Sequence, residues 1–516
     1  MWGGRLATLA PPIALLVYAA CLTSRAVALS AATFLNSDAP EAAYLGLALP
    51  GGVSLPVHTE ILPTLLAAGL IGLPGGHPAI QLLGPLLGLA TVGVMSWTVR
   101  RLGGPWIATA VAGVAAGPIL LWSVLFPTAH VVTFLTAALL AAYLAELALG
   151  RGCRSLLIAT GTAAGIALIG DQAFLATGLA PMLAGGGALW LVRRNRRHAR
   201  SIAGVLVVVA AVAAAGEVTL HLAGVRFVGN FVFGAVGLGA VPIGAGAGWA
   251  AQSLGQIVGG QWSGSVLHQP WDDLTFLAGI VVPLVAPAAL LRQLRHRRGG
   301  DVDDGRVAYL VFWTTADVLV LAVYLLFGYA ASLSSAHYLL PCLLSAVATL
   351  PFVVAPHRRN LPLLAAAALA LVQAVGILLI PALDYAGTYA PTDGPRVVAL
   401  VKAAGLTRGY ADYWESHPLT WLSGDTVHVY PVVVRGCTAT QNVCPYLYSG
   451  AAWYRAVPGS TFLILRRSWF CVSVSPTGVL GPPEQTIVVN SDTTILVYNY
   501  DIASRFASLV MDACHQ

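Results

Sequence analysis

Charge is what this chain has least of. Only 9% of its 516 residues are Asp, Glu, Lys or Arg, while 57% are hydrophobic and the mean hydropathy is +0.78. A soluble domain carries roughly 25% charge, so an ordinary water-soluble globule is excluded and an integral membrane protein remains. Lysine is almost missing: of 27 basic residues, Lys402 alone is one. The net charge of +6 and pI near 9.0 come from arginines in short loops, not from a basic face, which argues against a nucleic-acid partner. There is no Walker A loop, no HExxH, no GxSxG in a hydrolase-like setting, and no CxxC or Cys/His spacing of a zinc site. No motif therefore imposes nucleotide, metallopeptidase or serine-hydrolase chemistry.

The arginines that are present follow a rule. In the first 383 residues they fall at Arg5, at Arg100 and Arg101, at Arg151 and Arg154, between Arg193 and Arg200, between Arg292 and Arg306, and at Arg358 and Arg359. Only Arg25 and Arg226 stand apart. Between clusters lies enough apolar chain to cross a bilayer out and back, and short Arg-rich loops stay cytoplasmic. The pattern predicts a polytopic α-helical membrane protein with about eleven transmembrane helices, N-terminus inside and C-terminus outside. The expected spans lie near 7–29, 78–99, 105–125, 130–149, 155–170, 173–192, 201–221, 274–291, 307–328, 338–355 and 361–382. Ala26-Val27-Ala28 after the first apolar run also fits a cleaved signal; a retained first helix is preferred. Residues 61–73, short and bounded by Pro63 and Pro74, read as a helix lying in the outer interface.

Two parts emerge, a membrane module over 1–383 and a small extracytoplasmic domain over 384–516. In the module, outer loop 30–77 carries most of the early acidic residues. Loop 222–273 is so rich in glycine that it reads as a mobile or re-entrant flap, with a broken pair of crossings as the alternative. After Pro381 alternating runs at 426–434, 461–466, 486–490 and 494–500 read as strands of a β-rich or α+β domain. Cys437, Cys444, Cys471 and Cys514 lie there, an even set that suggests two disulfides in an oxidising compartment, against four free thiols.

Chemistry is sought at the outer helix ends. Asp38 and Glu41 follow the first helix, and Glu60 heads the interfacial segment. A carboxylate at a lipid–water boundary can act as a general base, and two can share a divalent cation; helix capping by Ser37 or Asp38 before Pro40 is the plain alternative. His130, Asp171 and His337 fall at the same face, where burial of charge calls for a cavity or a partner; a simple turn at Asp171 and structural hydrogen bonds for the histidines stand beside that reading. Asp317 lies mid-span and is expected to pair across helices. In the C-terminal part, Asp412, Tyr413 and Trp414 suit sugar contact, or a small domain's core.

This arrangement resembles the GT-C superfamily of membrane glycosyltransferases that use polyprenyl-phosphate sugars, such as protein mannosyltransferases and aminoarabinose transferases. The likeness is carried by Asp38 early in a long first outer loop, the interfacial helix after it, the turn Thr98-Val99-Arg100-Arg101-Leu102-Gly103-Gly104, and His337-Tyr338-Leu339-Leu340-Pro341, where the family usually has arginine in place of His337. Gly409 to Glu415 is similar to a segment of bacterial members. The resemblance implies inverting transfer of one sugar at the outer surface of a bacterial plasma membrane, to a glycan, lipid or protein acceptor. Asp38 would be the base, with Glu41, Glu60 and Asp171 as acidic partners. Arg226, His337, His130 and Arg25 would bind the donor phosphate, and Asp412, Tyr413 and Trp414 the acceptor. The resemblance fixes no cofactor and leaves room for a divalent cation, Mg or Mn. The alternatives are a transporter or flippase, with Asp317 and Glu217 as relay, and a non-catalytic subunit of envelope assembly.

Overall fold

The computed structural model describes residues 2–32, 38–56, 59–116, 130–228, 243–259, 268–297, 304–326, 338–354, 358–379, 393–435, 442–446, 449–466 and 480–506. Each apolar segment expected to span overlaps a helix over its described residues, the second half of 105–125 lying outside them: α1 (Trp2–Ala32), then, after α2 (Asp38–Ala48) and α3 (Ile61–Ile71), α4 (Gly76–Arg101), α5 (Trp106–Ala115), α6 (Val131–Ala148), α7 (Arg154–Gly170), α8 (Ala180–Arg193) and α9 (Arg196–Leu222). After α10 (Ile243–Gly259) come α11 (His268–Arg297), α12 (Asp304–Leu326), α13 (Leu340–Thr349) and α14 (Asn360–Leu379). A π-helical stretch, Leu175–Leu179, leads into α8. Six described helices are long and apolar enough to cross a membrane, so this is a multi-pass membrane protein. α3, with 11 residues, is about 16 Å long, half a hydrocarbon core, as an interfacial segment requires. Leu6, Leu86, Leu191, Val207, Leu284 and Leu371 point outward, the surface a lipid solvent demands.

The helix ends sort by chemistry. At one end Arg101 forms a two-pronged pair with Glu146 (2.7 and 3.1 Å), and Arg193 meets Asp304 at 2.7 Å. There too Arg306 donates to the Leu102 carbonyl and Arg292 to that of Val353, each at 2.7 Å. These contacts gather the ends of α4, α6, α8 and α11 with the start of α12. At the other end Gly170 lies so close to Thr59 that a Cβ there would sit 1.9 Å from its carbonyl oxygen. In between, small residues let helices touch: a Cβ on Gly161 or Gly165 of α7 would stand 2.8 or 2.6 Å from Val208 or Val212 of α9.

Two departures from the sequence reading follow from packing. The glycine-rich stretch contains a strand, β2 (Val225–Val228), and the 17-residue α10, so over those residues it is regular structure. Its glycines and alanines work because α10 is not water-exposed: Ala250, Ala251, Ser253, Leu254, Ile257 and Val258 are buried, and Gly279 of α11 presses on the Ala251 carbonyl. Asp317 has no ionic partner among the described residues. Its Oδ1 accepts no hydrogen bond there, and Cys342 Sγ of α13 reaches its backbone carbonyl at 3.7 Å.

The C-terminal part is α+β. β3 (Arg408–Ala411) runs parallel to β4 (His428–Arg435) and β7 (Thr461–Arg466), inside a six-stranded sheet completed by β5 (Asn442–Pro445), β9 (Thr493–Tyr498) and β8 (Gln485–Val488) in the order β5-β4-β3-β7-β9-β8. α15 (Gly394–Ala403) and α16 (Tyr413–Leu422) pack against it. Arg466 joins it to its flanks by pairing Glu415, Asp393 and Asp492. A second, three-stranded sheet holds the halves together: β1 (Val53–Pro56) of the first loop lies between β2 and β6 (Ser449–Gly450). Around it Leu45, Val53, Leu55, Val225, Trp453 and Tyr454 share one apolar core.

Overpacking the α7–α9 seam should destabilise: Gly165→Leu is expected to cost about 1–3 kcal/mol or more, whereas Gly187→Ala, with nothing within 4 Å, should stabilise by roughly 0.5 kcal/mol. Thermal unfolding in detergent measures both; equal melting temperatures would refute the close approach.

Candidate functional site

At the end of the bundle away from the arginine contacts, three buried ionisable residues from three chain segments meet. Glu60 ends the approach to α3, His130 precedes α6, and Asp171 follows α7; each is 6% exposed or less. Glu60 lies over the start of α6, its two oxygens accepting from the backbone N–H groups of Val132 (2.9 Å) and Thr133 (2.6 Å). Those donors have no partner inside the helix, and the helix dipole favours an anion there. His130 enters α6 at φ +58°, a left-handed conformation that histidine tolerates better than most residues.

Its ring turns to Asp171, with Nδ1 2.6 Å from Oδ2. A carboxylate only accepts, so Nδ1 carries the hydrogen. Thr133 Oγ1 donates to the same oxygen at 2.6 Å, and the Ala173 amide to Oδ1 at 3.0 Å. Phe134 and Tyr338 flank the imidazole, each with its ring centre 6.1 Å away.

The electrostatics follow from this contact. Burial works against the imidazolium, yet the Asp171 charge, its hydrogen bond and the Glu60 charge outweigh it and raise the His130 pKa. Burial also opposes the Asp171 carboxylate, but His130, Thr133 and the Ala173 amide hold its pKa below the usual range. Glu60 is pushed up to about 7, by burial first and the Asp171 charge second, against the pull of two N–H donors and His130. The arrangement thus favours the charged form of His130 beside the Asp171 carboxylate and a Glu60 carboxyl raised to about 7.

The other sequence candidates are dispersed. Asp38 opens α2, but its side chain lies outside the described residues, as do the side chain of Arg25 on α1 and the whole of His337. Glu41 is buried and accepts from Tyr413 Oη at 2.5 Å, tying α2 to α16. Tyr413 is itself buried and stacks on Tyr446 at 4.5 Å, and Asp412 caps α16 through the Trp414 amide at 3.0 Å. Those bonds give both residues structural work; the Trp414 side chain is half-buried. Arg226 is exposed on β2, in register with Ser54. Cys444 is buried in β5 and is not among the free thiols, which are Cys21, Cys153 and Cys342; Cys437, Cys471 and Cys514 lie outside the described residues. Among the described residues no three His, Cys, Asp or Glu are placed to hold a metal.

Sequence reasoning missed Thr133, whose signal was a hydroxyl one turn beyond His130. It also missed a polar seam between the halves. Asp425 accepts from Tyr44 Oη at 2.5 Å and contacts His77 Nε2 at 2.9 Å, while the His77 ring stacks on Trp421 at 3.8 Å.

The pKa shifts fix a sign. Glu60 holds its proton longer folded than at its ordinary 4.5, so stability falls as pH rises from about 4.5 to about 7. His130, raised above 6.5, adds stability at low pH that is lost as pH climbs through its folded value. Thermal unfolding should therefore show a loss of stability from pH 5 to 8, made shallower by Glu60→Gln. An unchanged slope in that variant would remove Glu60 as the titrating group.

Comparison with solved structures gives a likeness over nearly the whole chain. The crystal structure of ArnT from Cupriavidus metallidurans bound to undecaprenyl phosphate matches 98% of this chain and 98% of that one, at 15% identity and a TM-score of 0.52. The same protein in the apo state matches 98% and 100%, at 15% identity and a TM-score of 0.40. No protein-family model and no curated protein matches. With its early loop helices, its multi-pass bundle and its C-terminal sheet, the chain shares the fold of that ArnT structure.

Proposed function

We propose that this protein transfers one sugar, with inversion, from a polyprenyl-phosphate-linked donor to a hydroxyl of a cell-envelope glycan, glycolipid or glycoprotein. The observation that carries the reading is the buried Glu60–His130–Asp171 cluster at the end away from the arginine contacts. It is supported by the fold shared with ArnT, whose structure carries undecaprenyl phosphate. In the proposed step the acceptor oxygen attacks the anomeric carbon as the carbon–oxygen bond to phosphate breaks. The hydroxyl proton passes to Asp38, and polyprenyl phosphate leaves with the bonding pair.

Each buried residue has a part in that step. His130, whose charged form the hydrogen-bonded Asp171 favours, supplies positive charge near the leaving phosphate, as electrostatic catalysis in a water-poor site requires. Glu60 holds the first loop on α6, and so holds α2, which begins at Asp38, over the same end. Arg226, exposed on the strand paired with that loop, and His337 are the further cations proposed for the donor phosphate, with Arg25 the more distant candidate. Glu41 and Asp171 act here as acidic supports, and Trp414 is the ring left for acceptor contact. The proposed setting is a bacterial plasma membrane with this end outside, the C-terminal sheet with it.

The test is sugar transfer from radiolabelled polyprenyl-phospho-sugar in membranes. Asp38→Ala and Asp38→Asn should both lower the rate by on the order of 10²–10⁴, the usual worth of a general base; full activity in both would eliminate it. Orientation has its own test in intact cells with an impermeant thiol reagent. A cysteine replacing exposed Leu73 should label, and native Cys153, exposed at the arginine end, should not. The reverse result would invert the topology.

A further inference from the structure

A groove of about 360 Å³ runs along the bundle surface between α4 and α6, ending at α7. Ala90, Gly93 and Trp97 form one wall, Ala142 and Glu146 the other, and Leu156 closes the end. From Ala90 to Trp97 is about 10 Å along the helix, within the roughly 15 Å depth of one leaflet. The trough is apolar except at the arginine end, where Glu146 is already neutralised by Arg101 and the Arg101 guanidinium lies 5.6 Å over the Trp97 ring.

Beyond that pair the charge is uncompensated. Arg100 follows Trp97 on the same face of α4, Arg151 donates its backbone N–H to the Glu146 carbonyl, and Arg154 begins α7 two residues before Leu156. All three side chains are exposed and form no ion pair or hydrogen bond among the described residues. The first turn of α7 has no acidic residue and no side-chain cap, so its dipole adds to the positive field in place of offsetting it. An apolar trough that fits within one leaflet, ending in three guanidiniums unpaired among the described residues, is complementary to a lipid anion.

We propose that this groove binds an anionic phospholipid, one acyl chain lying between α4 and α6 and the headgroup phosphate among Arg100, Arg151 and Arg154. The polyprenyl donor is a poor occupant. A phosphate at this end of the 18-residue α6 stands about 27 Å from the Glu60–His130–Asp171 cluster at the other. The proposal stands without the catalytic reading.

Full-length protein purified in mild detergent and measured by native mass spectrometry should retain one phosphatidylglycerol per chain. Its preference over phosphatidylcholine should be on the order of tenfold. The combined Arg100→Gln, Arg151→Gln, Arg154→Gln variant should lose the preference. Gly93→Phe should lose the lipid, and it fills the trough without a clash, since nothing lies within 4 Å of a Cβ there. A second readout needs no loss-of-binding variant. In nanodiscs, the Trp97 fluorescence, taken as the difference from Trp97→Phe, should be quenched more by brominated phosphatidylglycerol than by brominated phosphatidylcholine. Equal quenching by the two lipids, or full retention in Gly93→Phe, would overturn the site. Displacement of phosphatidylglycerol by equimolar undecaprenyl phosphate would reassign it to the carrier lipid.

Discussion

The fold turns on a carboxylate at a helix start. Glu60 closes two N–H groups in the first turn of α6, and the adjoining His130–Asp171 pair seals the next turn of chain against α7. None of these groups reaches water, and each unpaired would cost several kcal/mol, so they are tolerable only together. The loop from α2 to α3 is held on the bundle by that mutual need. Gly170 permits the approach, because any side chain there would strike the Thr59 carbonyl.

From this contact the molecule divides by chemistry. One end is tied by arginines to Glu146, Asp304 and backbone carbonyls. The other is tied by buried acids, a histidine and hydroxyls. The sheet part joins the second end through bonds that cross the whole sequence: Glu41 to Tyr413, and Tyr44 and His77 to Asp425. The β2-β1-β6 sheet seals the joint with backbone hydrogen bonds, so first loop, glycine-rich segment and C-terminal part share a core.

Much of this could be read before folding because the bilayer imposes a one-dimensional code. Apolar length and arginine spacing located most of the described helices, and alternation located β7 and β9 closely. Glu60, His130 and Asp171 could be named singly, since polar residues at apolar helix ends need partners. Which partner each takes was not legible, because 70 residues separate Glu60 from His130 and a further 41 separate that from Asp171. The glycine-rich segment misled for a related reason. Glycine propensity describes an isolated helix in water, whereas α10 is held by close contact with α11.

By itself, then, the sequence determined a multi-pass helical protein with its arginines at helix ends, a short apolar segment among the longer ones, and a tail containing strands. Each of these is a local consequence of transfer free energy or backbone periodicity. Tertiary structure alone decided that Glu60 caps α6, that Asp171 pairs with His130, that Asp317 Oδ1 accepts no hydrogen bond among the described residues, and that Tyr413 bonds Glu41. Such pairings depend on which helix ends meet in space, which follows from the packing of small residues across helices and is not encoded in any one segment.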